Sequence, residues 1–227
     1  MRLDKQRIVV TGAFGTLGAA VVQAALGAGA QVAAIDRVSV PANLAAVHGF
    51  GGVDLADAGE AKRAIDAAVE ALGGVDALVN IAGAFRWETL ANGDLDTWDL
   101  LYRINLRTVV AASMAALPHL PDGRGRIVNI GANSALKAGA GVGAYTASKA
   151  GVMRLTESLA EELKPRGITV NALLPSIIDT PPNRADMPDA DFDRWVKPEQ
   201  LAEVIVFLLS DAASAITGAL IPVTGRV

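Results

Sequence analysis

Short aliphatic runs alternate along the whole chain with longer stretches whose apolar residues recur every three or four positions. Residues 7–10, Gln31–Ile35, 75–79, Arg126–Ile130, 169–174 and Leu220–Val223 are nearly continuous in Val, Ile, Leu and Ala. That pattern marks strands buried on both faces of a parallel sheet rather than half-exposed ones. Between them, residues 19–28, 57–71, 96–117, 145–164 and 199–209 carry helical spacing. Ala61, Ile65, Ala68 and Leu72 form one stripe, and Val152, Leu155, Leu159 and Leu163 another. Residues 52–55 end a weaker strand, and 39–48 leave room for a turn or two of helix. Alternating strands and helices predict an α/β fold: one Rossmann-like, doubly wound parallel sheet flanked by helices on both faces. Residues 1–227 are expected to form a single domain, since no linker, repeat or low-complexity segment interrupts the pattern.

Composition narrows the class. Aromatic residues make up only 4% of a chain that is 52% hydrophobic, so the core must be aliphatic. With 0 Cys there is no disulfide, thiol nucleophile or thiolate metal site, as expected in a reducing cytoplasm. A net charge of −4 with mixed signs gives no basic stripe, so no nucleic-acid partner is expected. The basic start breaks at Thr11 and Gly12, too early for a signal segment. Polar and glycine residues interrupt every apolar run, so no membrane partner is expected either. The chain reads as a soluble cytoplasmic protein.

The first strand ends in a glycine turn, with Gly12, Gly15 and Gly18 leading into an Ala-rich helix. A second strand follows and closes on Asp36. This order is that of a dinucleotide-binding unit. Its glycines let the backbone approach a pyrophosphate, and the helix N-terminus offers amide donors and the positive end of its dipole. Gly18 lets helix and sheet pack closely. A carboxylate at the end of the second strand accepts hydrogen bonds from ribose hydroxyls and repels a 2′-phosphate. NADH is therefore expected over NADPH, although Arg37, next in sequence, offers a cation to the phosphate.

Tyr145 and Lys149 stand four apart on one helical face, about a turn from each other. A cation beside a phenol favours the phenolate, which would let Tyr145 pass a proton near neutral pH. Asn105 is a polar residue among Ile104, Leu106 and Val109; a buried amide there can bend a helix and hold water. Asp54 reads either as an adenine contact or as a helix cap, and Asn80 as a tie within the sheet. Phe85, Arg86 and Trp87 lie in a loop open to a ligand. Residues 176–196, rich in Pro and Asp, read as a lid.

Thr11, Gly12, Gly18, Asp54, Asn80, Ala82, Gly83, Asn105, Tyr145, Lys149, Pro175 and Thr180, in this order, resemble the short-chain dehydrogenase/reductase family over nearly the whole chain. The resemblance implies Tyr145 as acid/base, with Lys149 as its electrostatic partner and ligand of the nicotinamide ribose. It implies that Asn105 holds a relay water and Thr180 touches the nicotinamide amide. The NAD site would then comprise Gly12, Phe14, Gly15, Thr16, Leu17, Asp36, Arg37, Asp54, Leu55, Asn80, Ala82, Gly83, Tyr145, Lys149, Pro175, Ile178 and Thr180. It also suggests a homodimer or homotetramer formed by the helices from Asp96 and from Tyr145.

One position departs from the family. The serine expected thirteen residues before the Tyr is Ala132, and Ser134 is out of step by two. The run from Asp179 through Arg184, Pro188 and Phe192 to Trp195 is similar to the lid of quinoid dihydropteridine reductases, which also lack that serine. A small conjugated acceptor such as a quinonoid dihydropterin is therefore expected, with Phe85, Trp87, Ala132, Ser134 and Trp195 near it. The alternatives are a keto/alcohol or 3-oxoacyl substrate handled through Ser134, and a non-catalytic nucleotide sensor.

Overall fold

The computed structural model describes residues 2–42 and 47–227. Within these residues seven strands form one sheet: β1 (Arg7–Thr11), β2 (Gln31–Ile35), β3 (His48–Phe50), β4 (Ala77–Asn80), β5 (Arg126–Ile130), β6 (Thr169–Pro175) and β7 (Leu220–Val223). Their order is β3-β2-β1-β4-β5-β6-β7, and every pairing is parallel. The order reverses between β1 and β4, which opens a crevice at the C-terminal ends of those strands, where such sheets bind ligands.

Among the described residues, seven α-helices connect the strands: α1 (Thr16–Gly27), α2 (Ala58–Leu72), α3 (Leu95–Tyr102), α4 (Thr108–Ala116), α5 (Gly143–Leu163), α6 (Pro181–Asp186) and α7 (Pro198–Leu209). On one face α1 and α7 pack on Ile8, Val10, Val79 and Val128. On the other, α2, α4 and α5 pack on Val9, Leu78, Ile127 and Val170. Alternate residues of each central strand thus feed opposite cores, as the unbroken aliphatic runs require.

Two expected elements differ. The weak strand lies at His48–Phe50, upstream of 52–55, because Gly52 turns the chain at φ +76°. Beyond that turn the Val53 N–H donates to the Asp36 carbonyl at 3.1 Å, so the chain returns to β2. The expected long helix 96–117 is three pieces: α3, a π-helical turn over Arg103–Arg107, and α4. The turn of helix considered for 39–48 falls partly on residues 43–46, outside the described residues. Among the described residues no helix is long and apolar enough to cross a membrane.

Candidate active site

A cleft of about 1030 Å³ opens at the C-terminal ends of β1, β4, β5 and β6. Its floor on one side is the glycine turn. A methyl group on Gly12, at φ +63°, would sit 2.6 Å from the Ala82 nitrogen, and one on Gly18 would sit 2.1 Å from the Gly12 carbonyl oxygen. Both positions are closed to any side chain by backbone. Gly15 begins α1 with no side-chain cap, so the first-turn amides of that helix are left for a ligand at the cleft. Among the residues expected to bind the cofactor, Phe14, Thr16, Leu17, Arg37, Leu55, Ala82, Gly83, Pro175 and Ile178 all line it.

Asp36 ends β2 at the cleft. Its carboxylate accepts from the Phe14 N–H at 2.9 Å and from the Val38 N–H at 3.2 Å, which fixes its orientation on the turn. Asp54 also lines the cleft, but it is not the cap of α2. It accepts from the Ala56 N–H at 3.0 Å and pairs with Arg103, while Asp57 caps α2 through the Glu60 N–H. Thr180 lines the cleft and caps α6, accepting from the Asn183 N–H at 3.3 Å.

On the other wall, α5 presents Tyr145 and Lys149. The Lys149 Nζ is buried and donates to the Ile130 carbonyl at 2.8 Å. Burial lowers its pKa to about 8, and burial raises that of Tyr145 to about 12. The expected drift of Tyr145 toward phenolate is therefore reversed in the protein alone. Desolvation favours the neutral form of each group, and the ammonium is already committed to a carbonyl. Phe85 stands against Tyr145 with ring centroids 4.9 Å apart and planes at 78°.

Four expected site residues lie off the cleft. Asn80 is buried, donating to the Asn129 Oδ1 at 2.9 Å and the Ser113 hydroxyl at 3.3 Å, which makes it the sheet tie. Asn105 sits at the centre of the π-turn. Its Oδ1 accepts from the Ala84 N–H at 2.7 Å, and its Nδ2 donates to the Ala84 carbonyl and the Ser148 hydroxyl. The side chain is thus occupied by protein groups. Trp87 leaves the cleft and packs on Gly141, whose added Cβ would meet the indole at 2.2 Å. Trp195 is buried against Phe192 at 4.8 Å, and Phe192 in turn carries the Arg184 guanidinium. Trp195 therefore packs the segment 176–196 internally rather than facing a ligand. Ala132 and Ser134 do line the cleft, on the loop after β5, and Ala132 is buried.

Reading the sequence missed Ser148, which accepts from Asn105 and donates to the Tyr145 carbonyl at 2.7 Å. Its place inside the Tyr–Lys turn was the available signal.

The model of the short chain dehydrogenase family matches residues 6–191. The chain is a short-chain dehydrogenase/reductase. This short-chain dehydrogenase/reductase is 32% identical over 242 residues to a 3-oxoacyl-[acyl-carrier-protein] reductase of Thermotoga maritima, covering 99% of this chain and 98% of that one. It is likewise 32% identical to the meso-2,3-butanediol dehydrogenase of Serratia marcescens, over 99% of this chain and 95% of the other. A short-chain dehydrogenase from Burkholderia cenocepacia, solved in complex with NADP, superposes with a TM-score of 0.88 at 34% identity, over 99% of this chain and 98% of that one. The protein is an oxidoreductase of this family and takes a nicotinamide cofactor. The glycine cradle and uncapped helix fit that group: Gly12 and Gly18 leave the backbone open to close approach, and the start of α1 offers amide donors.

Proposed function

We propose that this oxidoreductase reduces a small conjugated acceptor and that Tyr145 protonates the product. The observation that carries the reading is Ala132. A methyl group lines the cleft where the family offers a hydroxyl to a substrate oxygen. A plain ketone needs that hydrogen bond to stabilise its developing oxyanion. A quinonoid ring gains aromatic stability on accepting hydride and needs it less. The similarity of residues 179–195 to the lid of quinoid dihydropteridine reductases supports a quinonoid dihydropterin as one such acceptor.

When bound, the nicotinamide supplies the hydride. Tyr145 holds its proton at the phenol oxygen until the acceptor draws it off. Lys149, anchored on the Ile130 carbonyl, keeps positive charge beside the ribose and the phenol. Any relay water at Asn105 must use its backbone, since its side chain is taken by Ala84 and Ser148. Asp36 favours NADH by facing the ribose hydroxyls, and residues 176–196 close over the cleft. Exposed Leu95, Trp98, Tyr102 and Met114 on α3 and α4 support a homodimer or homotetramer through that face. A monomer mass by light scattering at micromolar concentration would refute the assembly.

A second reading has one observation behind it. Ser134 also lines the cleft, and the relatives named above are by name a 3-oxoacyl reductase and a butanediol dehydrogenase. A keto or 3-oxoacyl substrate would then bond Ser134. Oxidation of NADH and of NADPH, followed across pterins, quinones, ketones and 3-oxoacyl esters, separates the two. Turnover confined to ketones and esters would reject the conjugated acceptor, and no turnover at all would favour a nucleotide sensor.

A further inference from the structure

Phe85 is 55% exposed yet lines the cleft, and the chain on both sides of it is pinned. Before it, Asn105 grips the Ala84 peptide at both its N–H and its carbonyl, at 2.7 and 3.0 Å. After it, the Trp87 indole sits on Gly141, which is held at φ +75°, and the Glu88 N–H donates to the Gly141 carbonyl at 2.7 Å. The Glu88 carboxylate then accepts from the Asp94 N–H at 3.1 Å and the Thr97 hydroxyl at 2.9 Å, which ties the strap to the start of α3. Three separate anchors hold a loop whose one cleft-facing aromatic ring is not itself packed in the core. The anchors hold the ring in one position on the cleft wall, where a ligand bound in the cleft would cover it.

We propose that Phe85 is a specificity-determining residue that selects flat, unsaturated acceptors, with Gly141 and Trp87 as the latch that positions it. Its ring stands perpendicular to that of Tyr145, so a planar acceptor lying flat against one ring meets the other edge-on. Both arrangements are favourable between aromatic groups, and a puckered or branched aliphatic ketone offers neither. The Gly141 backbone belongs to the loop leading into α5, so the latch also fixes the spacing between the Phe85 wall and the Tyr145 hydroxyl. The inference rests on the reductase reading above and names the class of acceptor its site takes.

The test compares wild type with Phe85→Leu, which keeps apolar bulk and loses the flat face, and with Trp87→Ala, which opens the latch. Steady-state kcat/KM is measured for 1,4-naphthoquinone and for cyclohexanone, alongside calorimetric titration of the NAD-loaded protein with 2-naphthol, a flat ligand that cannot be reduced. We expect Phe85→Leu to lower the naphthoquinone-to-cyclohexanone ratio about tenfold and to weaken 2-naphthol by a similar factor. Trp87→Ala should move both the same way by less, with NAD affinity within twofold of wild type in each variant. An unchanged ratio and an unchanged 2-naphthol affinity in Phe85→Leu would overturn the inference while leaving the reductase intact. If wild type turned over neither carbonyl, the reductase reading would fail, and the 2-naphthol titration would still decide whether Phe85 recognises flat ligands.

Discussion

The half of the sheet made of β1, β2 and β4 and the half made of β5 and β6 open on one cleft, but they are built from different materials. On the first half the working surface is backbone: a glycine turn, uncapped amides at the start of α1, and the Asp36 carboxylate held by two N–H donors. On the second half it is side chains: Ala132 and Ser134 after β5 and Tyr145 on α5, which Phe85 meets from the segment after β4. A backbone site tolerates few alternatives because nearly every atom is fixed by the fold. A side-chain site can change its chemistry through a single residue and leave the fold untouched. On this contrast a cofactor class can be shared across relatives while the acceptor side varies from one to another.

Breaking the first half should be the most damaging. At Gly18 an added Cβ meets only backbone, with the Gly12 oxygen at 2.1 Å and the Ala13 Cα at 2.7 Å, so no side chain can move aside. Gly18→Ala is expected to cost roughly 3 kcal/mol of stability and to abolish cofactor binding. Urea unfolding and calorimetric titration report the two effects. An unaltered midpoint would show that the glycine turn is not a rigid unit.

Damage to the second half should spare the fold. Tyr145→Phe is expected to lower turnover of any acceptor by about 10²–10⁴-fold while leaving cofactor affinity near wild type. The smaller loss is expected with a quinonoid acceptor, where solvent delivers the proton. Single-turnover rates with a loaded cofactor measure it directly.

The buried pair also leaves a signature in stability. Lys149 has its pKa lowered by burial from 10.5 to about 8, so between those values the unfolded chain holds more protons and stability rises with pH. Tyr145 is raised from 10.0 to about 12, so above 10 the folded chain holds more protons and stability falls with pH. Lys149→Met should flatten the rise between pH 8 and 10.5, as urea midpoints across that range would reveal.

The smallest effect concerns cofactor choice. If Asp36 sets the proposed NADH preference, Asp36→Ala should shift the NADH-to-NADPH affinity ratio toward NADPH by about tenfold, roughly 1.4 kcal/mol. Equal affinities in the unaltered protein would show that Arg37 outweighs the carboxylate.

The same division decides what the sequence revealed. The parallel sheet was readable because its central strands are nearly continuous in aliphatic residues, and the glycine turn from the spacing of its glycines. Of the seventeen cofactor contacts that the family resemblance implied, Asn80 alone lies off the cleft, since a strand-end amide serves a tie or a ligand equally well in sequence. The π-turn was legible only in part: Asn105 marked a place where the helix could bend, but not that its side chain would reach across to Ala84. Trp87 and Trp195 were misplaced for a related reason. Whether a loop indole faces a ligand or the protein depends on contacts that spacing does not give: Trp87 meets Gly141, 54 residues on, and Trp195 folds back on Phe192 in its own segment.

The claim that the acceptor half works without a serine is tested most directly by restoring it. Steady-state rates of wild type and Ala132→Ser are compared on a quinonoid dihydropterin and on a simple ketone, with Ser134→Ala as control. One oriented hydrogen bond to a developing oxyanion contributes roughly 2.7–4 kcal/mol, so ketone turnover should rise by about 10²-fold or more. Turnover of the quinonoid ring should change little or fall through crowding, and Ser134→Ala should be close to neutral. A hundredfold gain on the quinonoid acceptor, or a collapse of activity in Ser134→Ala, would contradict the account.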